Sequence, residues 1–475
     1  MYSSKSSSSS SSVPVVPHAL PLVGHAFALS KNPRNFILKA KQQCGPIFRI
    51  QLPMLSGYVV TGDYVNEILR ASRHQFSFQE GIDTIIPLGR VTRLSYDHKY
   101  KGEPYSLRDR NPVSYPIKYH LGANNLHHFS TRIQEASHEA FEQELVLGPG
   151  ETRLITVWPM MTRIIARISC FCFAGRQVAH IPKFVDSMAQ FTQKIIIAGT
   201  FLSLLPTWLG NYVVRRFLSL EKEIDLFMTH LTPQLEHLED NGYDDEKDMT
   251  YGAWLLTLPR RDGSIRPAQE IAYRFKDVVL ASVHTTSHFL TFALHELACR
   301  PTLVEHLRQE IKTLPADQQL NPSVINDLPL LDSFFREVLR YNVDYLGLHH
   351  KALQDVLLSN GAVIPKGALV FCAMDDANTF PNNSNDPSLT SFDAYRYLDS
   401  DQPSTTTTMP GFVTFGFGPH ACPGRFFAVM EVKYSIAKFV SRYNMTTLSG
   451  QRGKDVVIMG MTRNPPKDPI LFEGI

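Results

Sequence analysis

The chain has 475 residues, 43% of them hydrophobic and 19% charged, with 47 Lys plus Arg against 45 Asp plus Glu and a net charge of +2. That composition supplies a large core and excludes wholesale disorder, collagen and coiled coil, and so small a charge excess excludes a general nucleic-acid binder. The six cysteines (Cys44, Cys170, Cys172, Cys299, Cys372 and Cys422) form no CxxC pair and are too few for a disulfide framework, so they read as reduced thiols in a cytosol-facing, non-secreted protein.

The chain opens on a serine run that reads as a disordered lead over 1–12, with one domain expected over 13–475. The stretch 13–30 is free of charge, but Pro14, Pro17 and Pro21 break any membrane-spanning helix there. It also lacks the basic start and cleavage site of a signal peptide, so it is expected as an extended surface arm with no clear N-terminal transmembrane anchor. Strands are expected at 47–52 and 57–61. Leu126, Phe129, Ile133, Ala136, Ala140, Phe141 and Leu145 share one helix face. A second charge-free run, 195–214, is broken by Gly199, Pro206, Gly210 and Asn211. It reads either as a buried helix pair joined by a turn or as an apolar surface resting on a membrane or guarding a ligand channel.

The longest helix is predicted over 267–299, changing from amphipathic around Arg274, Lys276 and Asp277 to almost wholly apolar, as a helix does on entering a core. Further helices are expected from Pro301, over about 327–340, and from just after Cys422 to about 443. The run 361–373 alternates in strand fashion around Pro365, Lys366 and Gly367. The fold class is therefore mainly α with minor β, and the lack of strand–helix alternation argues against a doubly wound sheet.

The densest chemical signal is Phe415-Gly416-Phe417-Gly418-Pro419-His420-Ala421-Cys422-Pro423-Gly424-Arg425, whose glycines and prolines specify a tight loop. With Pro423 at the first helical position, Cys422 is expected at the N-cap, where free N–H groups and the helix dipole stabilise a thiolate. Such a thiolate suits a soft or redox metal, haem iron foremost.

Phe415, Gly418, Cys422 and Gly424 fit Phe-x-x-Gly-x-x-x-Cys-x-Gly, and here the chain resembles the cytochromes P450. The resemblance implies a single helical domain enclosing haem b, with Cys422 as axial iron ligand and His420 against a haem propionate. Glu337 and Arg340 match the family's Glu-x-x-Arg helix, and Arg396 matches the arginine that completes a structural Glu–Arg–Arg network. Ala281-Ser282-Val283-His284-Thr285-Thr286 looks like the oxygen-activation segment. Thr285 would then hold the water or hydroxyl that delivers protons, while Ser282 and His284 stand where a glycine and a carboxylate are usual. Mid-helix threonine can also bond back one turn and loosen the helix there. The family's propionate-binding arginine has no counterpart in 347–352, so Lys351 or His350 would substitute, and the early Trp/Arg donors are not evident near 124–128. The segments 20–24 and 45–48 look like the family's arm and first strand, and 355–367 like its late hairpin.

By resemblance, an apolar chamber is lined from 76–120, 199–209, 279–282 and 344–348, and holds a bulky hydrophobic substrate. The Thr-Thr-Ser and Phe-Asp-Ala-Tyr-Arg motifs look most like filamentous-fungal members acting on terpenoid, steroid or polyketide intermediates. The resemblance implies a monooxygenase using O2 and electrons from NADPH through a flavoprotein cytochrome P450 reductase. That reductase is expected to dock on a basic surface formed by Arg425, Lys433, Lys438 and Arg442. Two alternatives stay open: a haem-thiolate isomerase or dehydratase working without reductase, and a non-catalytic haem-binding protein. The resemblance also implies association with the endoplasmic reticulum membrane, with a candidate peripheral contact through about 195–214.

Overall fold

The computed structural model describes residues 13–53, 55–96, 99, 113–242, 250–316, 318, 321–380, 386–399 and 403–475. The serine-rich lead and most of 97–112 lie outside the described residues. The chain is 57% helical with small sheets, so the mainly-α reading holds.

One long helical rod organises the core. It runs as Ala268–Val279, a π-helical turn at Leu280–His284, and Thr285–Ala298. Its second half is buried nearly all round, with Leu290, Phe292, Ala293, Leu294 and Leu297 fully enclosed. Helix Val157–Phe173 packs on one side, helix Arg425–Arg442 on another, and helix Pro182–Leu204 crosses at the π turn. The predicted face Leu126 to Leu145 is buried throughout, in a 3-10 turn Ala123–Phe129 followed by helix Ser130–Glu144.

The main sheet has the order Ile47–Leu52, Leu55–Val60, Leu369–Cys372, Gly347–Ala352, Phe76–Ser77, with one parallel pair at its second junction. The run 361–373 forms two strands on either side of the expected Pro365-Lys366-Gly367 turn, and the hairpin read over 355–367 is present, but the second strand does not alternate. Val363–Ile364 forms its own hairpin with Val356–Leu357, whereas Leu369–Cys372 is buried on both faces inside the main sheet. Its neighbour Gly347–Ala352 carries an irregularity between Gly347 and His350, with Leu348 at φ +43°.

The arm is extended only at its start. Arg49 N donates to Pro14 O and Val16 N to Arg49 O, each within about 3 Å. The His25 ring is locked in one tautomer, accepting from Gln51 N at Nδ1 and donating from Nε2 to Val16 O, both at 3.0 Å. Helix Ala26–Lys31 follows, which the arm reading missed because a six-residue helix carries too few turns to show a period.

For 195–214, the structure shows the helix pair joined by a turn. Helices Pro182–Leu204 and Thr207–Phe217 meet at a break by Pro206 and bury Ile195, Ala198, Leu202 and Val214. Their outer faces leave Ile197, Phe201, Leu204, Tyr212, Phe217 and, at 73%, Trp208 in solvent.

Helix Phe78–Ile85 lies so close to strand Gly347–Ala352 that a Cβ on Gly81 would stand 2.2 Å from His349 O. The contact sets the distance between this helix and the strand bearing Leu348 and His349. Gly81→Ala is expected to destabilise the protein by about 1–3 kcal/mol, read as a lowered urea midpoint with an unchanged slope.

Candidate active site

The cysteine loop is held by its own backbone. Gly416 and Gly418 take φ of +69° and +56°, and a Cβ on Gly416 would meet His420 O at 2.7 Å. Cys422 N donates to Phe415 O at 2.7 Å, closing the loop. His420 Nε2 donates to Ala71 O at 3.1 Å, and the Arg73 guanidinium donates to Pro419 O.

The N-cap expectation for Cys422 is not met. The helix begins at Arg425 with Gly424 as its cap, because residues 423–424 form a turn of their own. The N–H groups of Gly424 and Arg425 still reach the sulfur, and Arg425 closes back on Cys422 O at 2.8 Å. Burial pushes the thiol's pKa up, and those two donors and the Arg425 charge pull against it. A metal that displaces the thiol proton would therefore find the thiolate already furnished with hydrogen bonds.

A second wall is the π turn. Thr285 Oγ1 donates to Ala281 O at 2.7 Å, the back-bond expected of a mid-helix threonine. Ala281 and Thr285 are exposed although they lie midway along a core helix, because they face an internal cavity of about 2200 Å³. The cavity is lined by Phe415, His420, Cys422 and Gly424 of the cysteine loop and by Ser282, His284 and Thr285 of the rod. His284 lies against Trp158 and His288, each ring about 6 Å away, and burial holds its pKa below the usual histidine value.

Other predicted residues fall elsewhere. A Cβ on Gly418 would stand 3.1 Å from Leu69 O, and Gly418 does not line the cavity. Lys351 also stands outside the lining, with its ammonium 3.7 Å from Glu80. His350 is fully buried, edge-on to His420 at 4.7 Å. Glu337, Arg340 and Arg396 lie beside the cavity as a network. Arg340 binds Glu337 through two bonds of 2.7 Å, Arg396 Nε adds one at 3.2 Å, and Asp393 N adds another at 2.9 Å.

The basic docking surface does not form. Lys433 is buried on Asp332 and Asn326 O, Lys438 is buried over Phe141 and Tyr434, and Arg442 pairs with Glu142. Helix Arg425–Arg442 runs through the core, so its cations meet internal partners instead of water.

Sequence reasoning missed several lining groups: His349, Trp158, and Met459 and Met461 from the hairpin Val456–Ile458/Thr462–Asn464. Met459 sits at φ +52°. No local motif marks them, since each reaches the cavity from a distant element.

The residues present fit an iron porphyrin. One wall offers a hydrogen-bonded cysteine, the cavity is roomy, and its lining includes buried polar atoms with no protein partner, Ser282 Oγ and His349 Nδ1.

A family model described as Cytochrome P450 matches residues 14–472. Cytochrome P450 monooxygenase 71 of Postia placenta is 27% identical over 97% of this chain and 92% of its own. Cytochrome P450 monooxygenase janP of Penicillium janthinellum is 28% identical over 64% of this chain and 61% of its own. The solved structure of retinoic acid bound cyanobacterial CYP120A1 aligns with a TM-score of 0.72 at 21% identity, covering 98% of this chain and 100% of that one.

Because Glu337 is buried and accepts from three partners, removing it strands two guanidinium groups. Glu337→Ala is expected to cost about 3–5 kcal/mol, seen in urea unfolding of the haem-loaded protein.

Proposed function

Because the chain belongs to the cytochrome P450 family, whose members are haem-iron oxidoreductases, we propose that it is a haem-thiolate monooxygenase. It inserts one oxygen atom of O2 into a bulky, mainly hydrophobic substrate, a terpenoid, steroid or polyketide intermediate of secondary metabolism. The observation that supports this reading is that Cys422 and Thr285 both line one cavity. When bound, haem b supplies the iron at which O2 is reduced by two electrons, one oxygen atom going to the substrate and the other to water.

Cys422 holds the iron, while Phe415 and Gly424 shape the wall around it. His420 gives its Nε2 proton to Ala71 O, so His349, whose buried Nδ1 has no protein partner, is the better donor for a haem carboxylate. Thr285 Oγ1, anchored on Ala281 O, keeps its lone pairs toward the cavity and positions a proton there. His284 lines the same cavity, and its imidazole relays protons by taking one up from water at one ring nitrogen and releasing one from the other.

Electrons come from NADPH through a flavoprotein reductase. The cysteine loop has exposed cations beside it other than those read from the sequence. Arg70 stacks on Phe417, Arg73 caps Pro419 O, and Lys118 follows Ile117, whose side chain lies against Gly424. An acidic face on the reductase complements them.

No helix among the described residues is long and apolar enough to cross a membrane. The outer face of 195–214 supports peripheral seating on the endoplasmic reticulum membrane, with Trp208 and Tyr212 of the type that sits at a bilayer interface. Trp208→Asp is expected to reduce co-sedimentation with phosphatidylcholine vesicles several-fold without changing the haem spectrum.

The haem-loaded protein with reductase and NADPH tests the reading. Cys422→Ala should abolish the long-wavelength Soret band of the reduced CO complex. Thr285→Ala should keep that band but lower product formed per NADPH by about ten- to a hundredfold. Turnover of a peroxide substrate without reductase would favour the isomerase reading instead.

A further inference from the structure

The central rod carries a second chemistry-bearing group toward the cavity. Lys276 is 5% exposed and lines the same cavity as Thr285. It precedes Thr285 by nine positions, which at ~1.5 Å per residue places it about 13 Å away along the axis. Its ammonium has three donors. One goes to Asp277 Oδ1 at 2.8 Å, and the charge lies 4.3 Å from the centre of the Tyr273 ring. Asp277 is itself 34% exposed and also faces Arg274 at 4.0 Å, so this carboxylate serves two cations. The same cavity is lined by the apolar Phe191, Ile195, Ile196 and Leu280, and by Arg274 and Asp277 beside Lys276.

A lysine is seldom kept so far from water without a full set of partners. A mainly apolar chamber that holds a buried ammonium, its one carboxylate partner shared with Arg274, matches a ligand with an anionic head and an apolar body. We propose that Lys276 is a specificity-determining residue, and that the substrate is an amphipathic acid whose carboxylate meets the Lys276 ammonium about 13 Å from the carbon presented to the haem side. This deepens the monooxygenase reading and rests on it for the end of the molecule that is oxidised.

The test is equilibrium binding to the haem-loaded full chain, without reductase, followed by the spin-state shift of the Soret band. Dodecanoic acid and methyl dodecanoate are compared at a pH where the acid is ionised. The wild type should bind the acid about tenfold or more tighter than the ester. Lys276→Met should erase that preference while still binding the ester. Asp277→Asn, which frees the ammonium from its partner, should increase the preference, an effect in the direction opposite to simple structural damage. Equal binding of acid and ester by the wild type overturns the proposal, as does a preference that survives Lys276→Met. If Lys276→Met does not load haem, a preference unchanged or lowered in Asp277→Asn overturns it. Acid preference with no oxidation of any hydrophobe by the complete reductase system counts against the monooxygenase reading and leaves the Lys276 assignment standing.

Discussion

The carboxylate of Glu337 is the interaction on which the iron side of the molecule depends. Its two oxygens accept four hydrogen bonds, from Arg340 twice, Arg396 and the Asp393 backbone, which fills a carboxylate's capacity. Arg340 then donates to Leu389 O and Ser391 O, and approaches Asn378 O. Asn378 accepts from Val413 N and donates to Thr414 Oγ1, which in turn donates to Leu339 O. Residue 415 begins the cysteine loop. One buried charge thus ties helix Pro329–Tyr341 to the segment that sets where Cys422 stands. A surface ion pair could not do this, because water would compete for every bond.

The π-turn wall solves a different problem. A helix passing through an apolar core has its backbone groups satisfied internally and presents nothing polar. The π turn at Leu280–His284, with the Thr285 back-bond, opens that regularity at one place. The polar groups it exposes then face the cavity, and so does the lysine near the rod's amphipathic end. Strain gathers around the same space: Leu348 and Met459, both non-glycine residues at positive φ, line it.

Charged residues show where tertiary context overrides reading by type. Lys433 and Lys438 look like surface cations in the sequence, yet both are buried, and burial lowers their pKa values, Lys438 to about 8. Asp344, beside buried Arg463, is pushed the other way by desolvation, to about 6. Arg70 and Arg73, unremarkable in the sequence, instead lie against the cysteine loop.

The sequence by itself determined what is local. The glycine pattern of 415–425 specifies a tight loop around Cys422, because few other sequences adopt its backbone. Apolar periodicity placed the helix of Leu126 to Leu145 and the rod of 267–299, since a helix face must match its core. Glu337 and Arg340 pair because three residues bring them together on one turn. Only the tertiary structure decided what depends on distant segments meeting. It moved the start of the last helix to Arg425, sent Lys351 to Glu80, and buried the expected docking lysines. It also brought His349, Trp158 and Met461 to one cavity with Thr285. These outcomes follow from which elements exclude water from which side chains, and spacing along the chain does not encode that.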